Sequence, residues 1–224
     1  MSDIIELDGP TQEPSSGSPA KQLVIFCHGV GSDGNDLIGL APYFARVLPE
    51  AKFVSPNAPE KFDMAATGYQ WFSISDPDAE RLSGVQSAAP NLEHFINQQM
   101  TAHGLTEAET ALVGFSQGTM MALHVGLRRE KQLAGIAGYS GSLVSPELLK
   151  SEIKSKPPVM LVHGETDNVL PPSSLKDAVS ALAGAGIDAK WEMRPDLGHG
   201  LDDRGIMMGM EFLADCFGVA LPQA

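Results

Sequence analysis

Residues 110–125 read Thr110-Ala111-Leu112-Val113-Gly114-Phe115-Ser116-Gln117-Gly118-Thr119-Met120-Met121-Ala122-Leu123-His124-Val125. An apolar run, a Gly-x-Ser-x-Gly turn and a run with helical spacing follow one another without a gap. That is the strand, sharp turn and helix that a nucleophile elbow requires. A side chain at Gly114 or Gly118 is expected to collide as the chain reverses tightly enough to thrust the Ser116 Oγ clear of the backbone. The helix that follows then aims its N-terminus, with unpaired N–H groups and partial positive charge, at the reaction centre. The five-residue pattern is short enough to arise by chance, and its context carries the weight.

Outward from the elbow the chain alternates. Apolar or β-branched runs at 23–27, 52–55, 110–115, 133–139, 158–163 and 187–193 predict strands, and helical spacing predicts helices over 36–48, 84–103, 117–130, 146–153, 173–184 and 202–217. Asp36 is placed to cap the first helix, Pro90 to kink the second or split off its first turn, and Gly104 and Gly184 to stop theirs. Runs such as Pro158-Val159-Met160-Leu161-Val162 have no polar face, as in strands covered on both sides by crossover helices. The alternation therefore predicts an α/β fold with a mostly parallel sheet. Residues 10–22, rich in Pro and Ser, read as a flexible surface segment too polar to be ordered by packing. No composition break follows, so 1–224 reads as one domain.

Charge and hydropathy exclude several partners. With 15 Lys and Arg against 28 Asp and Glu, the net charge is −13, and the densest basic cluster is Arg128, Arg129 and Lys131, interrupted by Glu130. Nucleic acid and anionic lipid both need clustered cations, so neither is expected. There is no stretch of roughly 18 consecutive apolar residues, and Met1–Gly9 is acidic where a secretion signal is basic and then apolar, which predicts a cytoplasmic protein without a membrane span. Cys27 and Cys216 read as buried free thiols.

A serine nucleophile needs oxyanion donors, a base and an acid that orients the base. After the strand 23–27 comes His28-Gly29-Val30-Gly31-Ser32-Asp33-Gly34, whose glycines let main-chain N–H groups approach a ligand. It matches neither phosphate-loop nor dinucleotide-loop spacing. The donors assigned are the N–H groups of Val30 and Gln117. Of six histidines, His94, His103 and His124 fall within helical patterns, and His28 and His163 end strands as structural hydrogen-bonders. His199, in Leu197-Gly198-His199-Gly200 between the last strand and the last helix, is the expected base. Asp167, a few residues past the penultimate strand, is the expected acid, with Glu165 its nearest rival; Asp196, Asp202 and Asp203 lie too close to His199 along the chain. The chain order Ser, Asp, His differs from those of chymotrypsin and subtilisin.

These residues, with Phe26–Leu37, Ser55-Pro56-Asn57-Ala58-Pro59, Gln70-Trp71-Phe72, His163-Gly164-Glu165-Thr166-Asp167 and Gly198-His199, resemble the phospholipase/carboxylesterase family of small serine hydrolases over about residues 22–217. The resemblance implies an α/β-hydrolase fold with helices on both faces of the central sheet and no large cap domain. It also implies a Ser116, Asp167, His199 triad, an oxyanion hole at Val30 and Gln117, and no metal or other cofactor. Val30 stands where the family usually has Leu, and Trp71-Phe72-Ser73 where many members have Trp-Phe-Asp.

The expected activity is hydrolysis of small-molecule carboxylic esters of short to medium acyl chains, with Trp71 and Leu170 as substrate-binding residues on loops at the strand C-termini. The alternative is a thioesterase or lysophospholipase for long acyl chains, whose groove Phe62, Met64, Ala65 and Ala66 on the loop 56–83 would line. A non-catalytic binding protein on the same fold is disfavoured by the complete set of catalytic residue types. A cysteine nucleophile fails because position 116 is Ser. Met207, Met208 and Met210 on the last helix read as core filler, with a homodimer contact as the other reading.

Overall fold

The computed structural model describes residues 4–74 and 81–221. The first part of the chain forms β1 (Thr11–Gln12), β2 (Gln22–Cys27), α1 (Gly34–Ile38), α2 (Ala41–Phe44), β3 (Ala51–Val54), β4 (Glu60–Lys61) and β5 (Tyr69–Gln70). Next come α3 (Arg81–His103), β6 (Thr110–Phe115), α4 (Gln117–Arg128), β7 (Gly135–Tyr139) and α5 (Leu149–Glu152). The remainder is β8 (Val159–Gly164), α6 (Ser173–Gly184), β9 (Lys190–Arg194) and α7 (Asp203–Cys216). One sheet runs in the order β1-β3-β2-β6-β7-β8-β9, parallel throughout except for β1, which pairs antiparallel with β3 at the edge; β4 and β5 make a separate hairpin.

The continuous apolar strands resolve into two buried faces because successive side chains point to opposite sides. In β2, Leu23, Ile25 and Cys27 face one core while Val24 and Phe26 face the other; in β8, Val159 and Leu161 oppose Met160 and Val162. The first face is covered by α3, α4 and α6 through residues such as Leu92, Ile96, Met121 and Leu182, the second by α1, α2 and α7 through Leu37, Phe44 and Phe212. Phe26 stacks on Phe53 at 6.0 Å and meets Phe44 edge-on at 5.8 Å, which fixes the second face around the strand that leads into the glycine-rich loop. Parallel strands place the C-terminal ends of β2, β6, β8 and β9 along one edge of the sheet, and every expected catalytic residue follows one of these ends.

Several boundaries differ from expectation. The helix predicted over 36–48 is two short helices, because Pro42 in the first turn of α2 has no N–H to continue the ladder from α1. Its N-cap is Asp33, whose carboxylate accepts the Asn35 N–H at 2.8 Å, and not Asp36. Pro90 does not split α3, which runs unbroken from Arg81 to His103. Within 146–153 only 149–152 is α-helical, after a 3₁₀ turn. The polar stretch 10–22 contributes the edge strand β1, and the Glu13 carboxylate pairs with Lys52, so backbone pairing orders part of what composition alone marks as a loop. Met208 and Met210 pack against the second core, while Met207 is exposed. Cys27 is buried, Cys216 is half-buried, and neither is in a disulfide.

Candidate active site

Ser116 occupies the turn between β6 and α4 with φ +53° and ψ −116°. A non-glycine residue there carries strain of about 1–3 kcal/mol, which surrounding contacts must offset. The glycines on either side explain how. A Cβ on Gly114 would lie 2.5 Å from the Thr119 backbone nitrogen, and one on Gly118 would overlap the Cys27 carbonyl, so β2, β6 and the start of α4 close-pack backbone to backbone. The Ser116 N–H donates to the Tyr139 carbonyl at 2.9 Å, and the Ser116 carbonyl accepts the Thr119 N–H at 3.0 Å. The hydroxyl does not cap its own helix. It lies 2.9 Å from His199 Nε2.

His199 Nδ1 is 2.7 Å from Asp167 Oδ2, so the imidazole bridges carboxylate and hydroxyl. The network assigns the neutral tautomer: Nδ1–H donates to Asp167 and Nε2 accepts from Ser116. Asp167 Oδ1 accepts the N–H groups of Val169 at 2.8 Å and Leu170 at 2.9 Å. Burial pushes the Asp167 carboxyl up, but the hydrogen bonds from His199, Leu170 and Val169 outweigh it and hold it below the usual carboxylate range. Glu165 is exposed and donates its N–H to the Arg194 carbonyl, while among the described residues its side chain has no hydrogen bond or ion pair to His199.

The loop carrying His199 is held at both ends. The Thr166 hydroxyl donates to the Leu197 carbonyl at 2.9 Å, and Ser140 Oγ to the Gly200 carbonyl at 3.0 Å. Asp202 caps α7 by accepting the Gly205 N–H at 2.8 Å and also accepts Arg194 Nε at 2.9 Å, tying the end of β9 to the start of the last helix. Phe115 lies 5.1 Å from the His199 ring, centroid to centroid.

The loop after β2 lies against the elbow, since a Cβ on Gly29 would sit 3.3 Å from the Ser116 Cβ. Among the described residues no acceptor takes the N–H of Val30 or of Gln117, and both residues line the same cavity as Ser116. The loop is pinned from behind: Gly31 N–H donates to the Tyr69 carbonyl at 2.8 Å, and Tyr69 N–H to the Ser32 carbonyl at 2.7 Å. His28 accepts the Ala58 N–H on Nε2 at 2.9 Å and donates through Nδ1 to the Gly29 carbonyl at 2.7 Å; burial lowers its pKa and keeps it neutral.

The cavity beside Ser116 has a volume of about 650 Å³. Phe72, Met120, Val169 and Leu170 give it an apolar wall, and Glu60, Arg81, Ser83 and Ser87 a polar one. Leu170 is among the lining residues. Trp71 is not among the lining residues. It is 1% exposed, its indole N–H donates to the His28 carbonyl at 3.0 Å and its main-chain N–H to Gln117 Oε1 at 2.8 Å, so it packs behind the loop while its neighbour Phe72 faces the cavity. Phe62, Met64, Ala65 and Ala66 do not line it either; Met64 is open to solvent and Phe62 packs over Gly31. Positions 75–80 of that loop lie outside the described residues.

Two contributors escape the sequence reading. The Gln117 side chain spans the Trp71 N–H and the Phe72 carbonyl, the latter at 2.8 Å, so the residue whose N–H faces the cavity also holds the cavity wall. Met120 stands one helical turn after Ser116, and that i, i+4 spacing could have marked it as facing the site.

Comparison with known proteins agrees with this architecture. The model of the family described as Phospholipase/Carboxylesterase matches residues 13–217. The chain is 30% identical over 201 residues to esterase YpfH of Escherichia coli K12, covering 89% of this chain and 84% of that protein. It is 30% identical over 194 residues to acyl-protein thioesterase 1 of Gibberella zeae, covering 79% of this chain and 82% of that one. Among solved structures, esterase PE8 superposes with a TM-score of 0.90 at 41% identity, over 95% of this chain and all (100%) of that one.

Proposed function

The chain belongs to the phospholipase/carboxylesterase family, and we propose that it hydrolyses carboxylic esters through a Ser116–His199–Asp167 triad and an acyl-enzyme. The observation that carries this reading is the unbroken chain of contacts from Asp167 through His199 to a hydroxyl on the cavity, at 2.7 and 2.9 Å. In it, Ser116 Oγ attacks the acyl carbonyl as its proton passes to His199 Nε2. Asp167 stabilises the resulting imidazolium, and the N–H groups of Val30 and Gln117 receive the oxyanion. The imidazolium returns its proton to the departing alkoxide. Water, deprotonated by His199 in turn, then releases the acid and restores the Ser116 hydroxyl.

The acyl group rests on Phe72, Met120 and Leu170. Short to medium chains suit this cavity because a long alkyl chain filling it would strip solvent from the charged Glu60 and Arg81 without offering either a hydrogen-bond partner. One observation favours the second reading, a long-chain ester or thioester: Ile74 and Val169, 43% and 62% exposed, extend the apolar wall to the rim. Turnover of p-nitrophenyl esters from acetate to palmitate, with active-site serine titration, tests both. The expected result is a maximum at short to medium chains and a loss of about 10⁴-fold or more in S116A. A maximum at palmitate selects the long-chain reading, and activity retained by S116A overturns the triad.

A further inference from the structure

The Asp167 carboxylate is approached from a side that the triad does not use. His163, the penultimate residue of β8, is 1% exposed, and its Nε2 lies 3.1 Å from Asp167 Oδ2, the same oxygen that receives His199. The same Nε2 is 3.1 Å from the Leu170 carbonyl. Both neighbours are acceptors, so Nε2 carries the proton and donates it to the Leu170 carbonyl, with Asp167 Oδ2 a close polar contact beside the same N–H. The turn Asp167–Leu170 is thus closed twice: Asp167 Oδ1 takes the Val169 and Leu170 N–H groups, and His163 takes the Leu170 carbonyl. Gly164 holds this arrangement to the other half of the site, because a Cβ there would overlap the Leu197 and Gly198 carbonyls beside His199.

We propose that His163 is a positioning residue of the reaction, its Nε2–H holding the Leu170 carbonyl and so seating the turn Asp167–Leu170 on the cavity wall while its ring edge, 3.1 Å from Asp167 Oδ2, keeps the carboxylate against His199. The inference rests on the triad reading and extends it to a second buried histidine. Its physical content lies in the carboxylate's environment. An N–H dipole beside Oδ2 draws off part of the negative charge that Asp167 offers to His199, and it blocks rotation of the carboxylate out of the plane the imidazole needs. Removing the dipole concentrates that charge on the contact with His199 and favours the imidazolium. The acidic limb of the pH–kcat/KM profile then moves to higher pH, a change that a merely space-filling residue would not cause.

The test compares His163→Leu, His163→Gln and His163→Asn with wild type on p-nitrophenyl butyrate, measuring kcat, KM and pH profile, with thermal melting and serine titration to count folded active sites. Leu keeps the bulk and loses the donor; Gln carries an N–H at a reach similar to Nε2; Asn carries one that falls short. H163L is expected to lose about 10–100-fold in kcat with little change in KM. Its acidic limb should move up by about half a pH unit or more. H163Q should recover to within about threefold of wild type and H163N should not. Should H163L fail to fold, the Gln–Asn difference decides. Equal activity in H163Q and H163N, or a wild-type rate and pH limb in H163L, overturns the proposal. S116A run in parallel separates the two ideas: activity in S116A removes the triad itself, whereas an inactive S116A beside an unaffected H163L removes only the role of His163.

Discussion

Asp167→Asn is the substitution whose outcome the geometry determines most tightly. Asp167 Oδ1 accepts two main-chain N–H groups, from Val169 and Leu170, so an asparagine at 167 must turn its carbonyl oxygen to that side. Its NH₂ then occupies the Oδ2 position, 2.7 Å from His199 Nδ1. Two donors cannot face each other, and the imidazole must move its proton to Nε2, where it points at Ser116 Oγ instead of accepting from it. On the proposed mechanism the base is removed by a change of tautomer, with the ring still in place. In a Ser-His-Asp triad this costs about 10⁴ in kcat, equivalent to about 5 kcal/mol of transition-state stabilisation. The same NH₂ also meets the His163 donor at 3.1 Å, so a further loss of about 1–2 kcal/mol in stability is expected, a few degrees in melting temperature for a chain of this size. Steady-state hydrolysis of p-nitrophenyl butyrate, normalised by serine titration, measures the first and calorimetry the second. Glu165→Gln, at an exposed position, should stay within about twofold of wild type. The reasoning is refuted if D167N keeps more than about a tenth of wild-type kcat, or if E165Q is the more damaged variant.

Further outcomes follow from other contacts. Gly118→Ala puts a Cβ against the Cys27 carbonyl and should destabilise by about 1–3 kcal/mol or more in urea unfolding, whereas Gly198→Ala, with nothing within 4 Å and beside His199, should stay within about 0.5 kcal/mol. Burial pushes the Cys27 thiol up to about 12, so iodoacetamide at pH 8 should leave Cys27 unmodified in mass spectra of the native protein and turnover unchanged. Burial raises the Asp202 carboxyl, but the Gly205 N–H and Arg194 outweigh it and hold it low. A depressed folded pKa contributes stability that is present above the unfolded value, about 3.9, and is lost as pH falls through the folded one. The melting temperature of Asp202→Asn should therefore lie below wild type at pH 7, with the gap closing below about pH 4; a gap that widens in acid reverses the sign of the argument.

The parts of the site legible in the sequence are those placed by the main chain. Ser116, Asp167 and His199 are separated by up to 83 residues, but each follows the C-terminal end of a parallel strand, and parallel strands bring those ends to one edge. Recognising β6 and β8 by their apolar runs, and β9 by its alternation of apolar and charged residues, is therefore enough to predict that the three meet. Asp202 and Asp203 could be set aside for a related reason: a carboxylate three or four residues past His199 belongs to the start of α7, and Asp202 is in fact its cap. What the sequence does not show depends on which side chain reaches which carbonyl. The hairpin of β4 and β5 has strands of 2 residues each, too short for periodicity to detect, yet it delivers Trp71 to the back of the glycine-rich loop and Phe72 to the front. One residue of register exchanges their roles, because successive side chains in extended backbone point opposite ways. The Gln117 amide bound to both residues fixes that register, and helical spacing cannot announce it, since the spacing gives the face on which Gln117 lies and not the segment that will pack there. Exchanging the Gln117 amide for a side chain of similar length without it should therefore disturb the cavity wall while leaving the main-chain N–H of residue 117 available.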